Sequence, residues 1–165
     1  PPPTSGTRDA FVELAMEGGC KKFKWVKALK KKNKPAYKEL CHSIREDGAY
    51  IEAGENDNMI LHKLTVNKNM LGIFGFSFLD MNGNKVQGSI IQGKKPTFDN
   101  ISQGTYPISR LLYFYVKKDN MSRIKGLKEY VKLFISEKSS GPDGFLTDQG
   151  LIPLGESERK KRTNF

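Results

Sequence analysis

Ser5, Gly6, Thr7 and Arg8 place two hydroxyls, a residue without a side chain and one guanidinium at the point where a helix begins. That combination suits a tetrahedral oxyanion. The first N–H groups of a helix lack intrahelical partners and sit at its positive end, so an anion there collects several hydrogen bonds. Ser5 and Thr7 add hydroxyl donors, and Arg8 adds a planar fork that matches two oxygens. The same residues also make an ordinary helix start, with Ser5 or Thr7 as N-cap and Arg8 in solvent. Asp9 follows directly and is placed to orient Arg8 through a salt link. Glu55 and Asp57 form a second acidic group; their place before an apolar helical pattern favours helix capping over acid–base catalysis.

Cys20 and Cys41 flank two consecutive helical patterns. Antiparallel packing of those helices would bring the sulfurs together, as a disulfide in an oxidising compartment or as two buried thiols in a reducing one. His42 and His62 are not spaced to complete a metal site with either cysteine, so no metal is expected.

These groups need elements to position them. Pro1, Pro2 and Pro3 keep the chain extended or turn-like, and Phe11, Leu14 and Ala15 recur at helical spacing after Arg8. The run from Lys21 to Lys32 puts Trp25, Ala28 and Leu29 on one helical stripe with lysines on the outer face. A second helical pattern spans Pro35 to Asp47, and a third runs through Met59, Ile60, Leu61, Leu64 and Val66. Four runs read as strands: Tyr50 to Gly54, Leu71 to Leu79, Lys85 to Ile91 and Ser109 to Lys117. Asn82-Gly83 is the expected hairpin turn. A long helix is expected over Lys118 to Ser136, and a short one within Gly141 to Gly150. Alternating helices and buried strands predict an α/β fold.

The chain has 165 residues, of which 37% are hydrophobic and 28% charged, with a formal net charge of +10. This composition excludes intrinsic disorder and fits one domain or two small lobes. No apolar run reaches the length of a bilayer span. The positive charge is concentrated between Lys21 and Lys38 and again at Arg159-Lys160-Lys161-Arg162. On an amphipathic helix this reads as a solvated face, and no nucleic-acid-binding motif accompanies it.

Four separated segments carry a more specific signal: Ser5-Gly6-Thr7-Arg8-Asp9-Ala10-Phe11, Glu52-Ala53-Gly54-Glu55-Asn56-Asp57-Asn58, Leu71-Gly72-Ile73-Phe74-Gly75-Phe76 and Gly104-Thr105-Tyr106-Pro107-Ile108-Ser109-Arg110. In this order, and with the closing Gly150-Leu151-Ile152-Pro153-Leu154, they resemble the substrate-binding protein of the high-affinity phosphate ABC transporter.

The resemblance implies a type II periplasmic-binding-protein architecture of two α/β lobes, with phosphate held in the cleft between them. Ser5, Gly6, Thr7 and Arg8 would form the second lobe's phosphate-binding loop, with Asp9 and Asp57 as supporting residues. Residues 1–69 would belong to that lobe, residues 70–154 to crossing strands and the later part of the first lobe, and residues 155–165 to a basic tail. The family's extracytoplasmic, periplasmic location favours the Cys20–Cys41 disulfide.

The implied role is binding of inorganic phosphate and delivery to a membrane permease, with no catalysis, no cofactor and no nucleic-acid partner. A phosphatase using the same loop and a basic nucleic-acid or surface-binding module are the alternatives. The family's first-lobe N-terminal half and signal peptide would lie upstream of Pro1, leaving the architecture incomplete and open to self-association. Leu111 follows Ser109-Arg110 where the family generally has Pro, which implies an altered strand entry.

Overall fold

In a computed structural model, residues 1–162 are described. They form two compact units, the first Pro1–Gln87 and the second beginning at Gly88. Both units are helical. Among the described residues there is no β-strand, only an isolated antiparallel bridge between Ile91 and Lys94.

The first unit opens with α1 (Gly6–Ala10), continues without a break through a π-helical stretch (Phe11–Met16), and closes in α2 (Glu17–Cys20). In the π-helical stretch the Glu17 N–H reaches back to the Val12 carbonyl. Each i→i+5 bond accommodates an extra residue per turn and rotates the following side chains. α3 (Lys24–Lys32) and α4 (Lys34–His42) then form a helical hairpin hinged at Asn33. Asn33 ends α3 and caps α4: its side-chain oxygen accepts from the Ala36 N–H, and Pro35 occupies the first turn, where a missing N–H costs nothing.

Val26, Tyr37 and Cys41 are almost fully buried between these helices, with Cys20 and Leu29 packed against them. The Cys20–Cys41 disulfide, with a Cα separation of 5.9 Å, ties α2 to α4. α5 (Asp57–Val66) follows, capped by Asn56. It buries Ile60 and Leu61, and the Leu71–Phe74 segment lies so close that a Cβ on Gly72 would come within 2.7 Å of Leu64 Cδ1. α6 (Phe76–Met81) closes the unit, with Phe74 and Phe78 in an edge-to-face ring contact.

The second unit carries α7 (Phe98–Ser102), α8 (Asn120–Arg123), α9 (Leu127–Phe134), α10 (Glu137–Ser140), α11 (Phe145–Asp148) and α12 (Glu156–Arg162). Tyr106, Val131, Ser139 and Pro153 are among its buried residues, and Phe114 stacks on Phe134 at a centroid distance of 4.3 Å. Gly126 adopts φ +83°, a left-handed turn that divides the helix expected over Lys118 to Ser136. Of the basic tail, residues 156–162 are helical and residues 163–165 lie outside the described residues.

The α/β fold class and the two-lobe type II architecture expected from sequence are therefore corrected: the described chain is helical. The physical reason lies in pairing. A strand is stable only alongside another, and the four runs read as strands do not pair with one another. Tyr50 to Gly54 and Ser109 to Lys117 are irregular, and the second half of Leu71 to Leu79 becomes α6. The tight turn lies at Gln92-Gly93, where both residues have positive φ (50° and 78°), as a two-residue hairpin turn requires. It joins the Ile91–Lys94 bridge, whereas Asn82 ends α6.

Packing in the second unit makes a direct prediction at Gly144. A Cβ there would lie 2.5 Å from the Ser139 carbonyl oxygen, a backbone atom that cannot step aside. Gly144→Ala is expected to cost about 2 kcal/mol through overpacking. A urea titration followed by circular dichroism checks this, and an unchanged midpoint would mean that the α10–α11 turn yields freely.

Candidate functional site

The predicted anion loop sits at the start of a helix, as its residue types demand. Ser5 is the N-cap in an extended conformation. Its Oγ accepts the Thr7 N–H at 3.2 Å, and its carbonyl accepts the Asp9 N–H at 3.1 Å. The Ser5 hydroxyl keeps its own hydrogen to donate, and the Thr7 hydroxyl makes no hydrogen bond among the described residues. Ser5 is thus the helix cap that its residue type allows.

Arg8 is held in place from the segment that leads into α5. Its Nη1 donates to Glu52 Oε2 at 3.2 Å, and its guanidinium lies over the Tyr50 ring at 5.5 Å from the centroid. The Arg8 side chain is 21% exposed. Guanidinium has five N–H donors, and Glu52 uses one. The Tyr50 hydroxyl donates to the Pro1 carbonyl at 3.3 Å, and the Thr4 hydroxyl donates to Glu55 Oε1 at 2.9 Å. Residues 1–8 are thus fastened to residues 50–55 by three polar contacts and one ring contact.

Asp57 stands in the first turn of α5, with Asn56 rather than Asp57 acting as the cap. Burial pushes its carboxyl above the usual carboxylate range, and the positive charge of the chain's N-terminus opposes that shift. Two carboxylates stand beside the loop, Glu52 on Arg8 and Glu55 on Thr4.

Glu52, rather than Asp9, is the carboxylate bonded to Arg8, and Asp9 makes no ion pair among the described residues. Ser5, Gly6, Thr7 and Arg8 lie together on one turn, whereas Asp57 makes no hydrogen bond or ion pair with any of them. Tyr50, Glu52 and Thr4 are the residues that sequence reasoning did not assign to the site. The signal for them was the Glu52-Ala53-Gly54-Glu55 motif, but nothing local couples it to a position 44 residues earlier. A groove of about 280 Å³ lined by Ile51, His62, Lys63, Val66, Asn67 and Met70 contains none of the loop residues. Among the described residues, no three His, Cys, Asp or Glu side chains converge to hold a metal ion. No helix among them is long and apolar enough to cross a membrane.

Comparison with known proteins adds an independent line. The family model described as the PBP superfamily domain matches residues 1–138. The phosphate-binding protein PstS of Staphylococcus haemolyticus is 28% identical over 114 residues, covering 66% of this chain and 35% of that protein. PstS of Staphylococcus saprophyticus is 26% identical over 112 residues, covering 65% and 34%. PstS of Bacillus subtilis is 26% identical over 163 residues, covering 99% of this chain and 43% of that protein. These relatives are named as phosphate-binding proteins. The chain thus spans between 34% and 43% of the length of these three relatives. No solved structure matches it. With the family model covering residues 1–138, the chain belongs to the PBP superfamily.

Proposed function

We propose that this chain contributes the phosphate-binding loop of a substrate-binding protein, which takes up inorganic phosphate outside the cytoplasm and passes it to an ABC-transporter permease without chemical change. The observation that carries the proposal is the capped turn at Ser5–Arg8. Ser5 caps the helix, Thr7 and Arg8 follow in its first turn, and Glu52 and Tyr50 hold the Arg8 guanidinium. The phosphate-binding relatives support the choice of anion.

In this reading Arg8 supplies the charge-assisted contact, and Ser5 and Thr7 donate hydroxyl hydrogens. Gly6 leaves the turn without a side chain over the ligand, while Asp9 and Asp57 support the site from its acidic side. The net charge of +10 raises the local concentration of anions around it. The Cys20–Cys41 disulfide supports an extracytoplasmic setting, since such bonds persist in oxidising compartments.

Arg8→Ala tests the assignment. Loss of a charge-assisted contact is expected to weaken phosphate binding by about 2 kcal/mol, roughly thirtyfold, when wild type and variant are compared by calorimetric titration. Equal affinity in the two would remove Arg8 from the site.

A further inference from the structure

The chain between Gly18 and Lys38 contains nine lysines and no acidic residue. Two of them are used internally: Lys21 and Lys30 both bond Glu17, and Lys30 also lies over the Tyr37 ring. Lys22, Lys24, Lys27, Lys31 and Lys32 are exposed and form no ion pair among the described residues. α3 turns Val26 and Leu29 inward. Helical spacing then sets Lys24, Lys27, Lys31 and Lys32 on the outward face, with Trp25 at its rim.

Two large aromatics stand among these cations. Phe23 is 58% exposed and Trp25 63% exposed, so neither indole nor phenyl ring serves the core. An exposed aromatic pair beside unpaired lysines has the chemistry of an interfacial membrane anchor: rings enter the headgroup region while ammonium groups meet lipid phosphates.

We propose that the outer face of α3, with Phe23 and Trp25, docks on an anionic phospholipid surface. Charge complementarity argues for the partner, and the aromatics argue for a bilayer over a dissolved polyanion. The cations on this face are all lysine, which meets phosphate as a point charge and snorkels along apolar surface; arginine, whose fork reads nucleic-acid phosphates and base edges, is absent from residues 18–38. The disulfide beside α3 favours an oxidising compartment, where a lipid leaflet is an extended anionic surface.

Trp25 is the chain's single tryptophan, so its emission reports on this face alone. The oxidised full chain would be mixed with vesicles of phosphatidylcholine alone and of phosphatidylcholine with one-third phosphatidylglycerol, and scored by co-sedimentation and Trp25 emission. Partition at least about tenfold stronger onto the anionic vesicles is expected, with a blue shift of Trp25 and loss of binding at high salt. The triple variant Lys24→Gln, Lys27→Gln, Lys31→Gln should lower that partition at least about tenfold while keeping the wild-type circular dichroism spectrum. Failure to co-sediment at low salt would overturn the proposal. So would co-sedimentation with unchanged Trp25 emission, or binding of a single-stranded oligonucleotide by a chain that ignores anionic vesicles.

Discussion

Reduction of the Cys20–Cys41 disulfide is expected to lower the stability of the first unit by about 3 kcal/mol, the chain-entropy value for a closed loop of roughly twenty residues. The bond joins positions 21 apart in sequence and meets the core directly, because Cys41 is one of only three residues in the buried cluster with Val26 and Tyr37. A core that small has little apolar area to offset the entropy of ordering three helices, so the covalent tie carries a large share of the margin. Urea denaturation followed by Trp25 fluorescence, with and without a phosphine reductant, measures the effect. Matching midpoints in a sample shown by mass to be fully reduced would contradict it.

Glu17→Ala is expected to cost a similar amount, about 3 kcal/mol, because one carboxylate serves four partners. Its Oε2 pairs with His42 Nε2 at 2.8 Å, while Oε1 accepts from the Tyr37 hydroxyl at 3.0 Å and pairs with Lys21 at 3.1 Å and Lys30 at 3.2 Å. The Glu17 side chain is only 14% exposed, so these pairs are screened less than surface ones. Removing the carboxylate would leave the Tyr37 hydroxyl without its acceptor inside the hairpin.

The His42 contact, aided by both lysines and Tyr37 and opposed by burial, holds the Glu17 carboxyl far below the usual carboxylate range. Since the folded value lies below the unfolded one, the stabilisation is complete above about pH 4.5 and is lost as pH falls below it. Wild type should lose more stability than Glu17→Gln between pH 7 and pH 3. Equal losses would show that Glu17 does not carry the acid sensitivity.

The parts of the fold legible in sequence are those set by local chemistry. α3, α4 and α5 follow from apolar periodicity, and the Pro35 start was visible in the residues themselves; the spacing of Cys20 and Cys41 left a disulfide and two buried thiols open, and the family resemblance favoured the bond that forms. The β-rich runs were not, because composition reports a preference for strand while a strand needs a partner distant in sequence. In Phe76–Met81 the local i, i+4 packing of Phe74 on Phe78 and the Asn82 side chain bonding the Phe78 carbonyl favour helix instead.

The site divides along the same line. Ser5 as a helix start could be read from its neighbours, whereas Glu52 and Tyr50 as the supports of Arg8 depend on contacts across more than forty residues. Glu17 gave no sequence signal either, since its four partners are Lys21 just after α2, Lys30 of α3, and Tyr37 and His42 of α4, and the π-helical stretch precedes it.

Amide and guanidinium ¹⁵N shifts recorded while the oxidised chain is titrated with inorganic phosphate, and separately with sulfate, test the Ser5–Arg8 assignment most directly. Saturable movement of Gly6, Thr7 and the Arg8 Nε signal with phosphate, weaker with sulfate and abolished by Arg8→Ala, is the predicted result. Shifts confined to the lysines of α3, equal for the two anions and indifferent to Arg8→Ala, would contradict it and leave only general attraction to a basic surface.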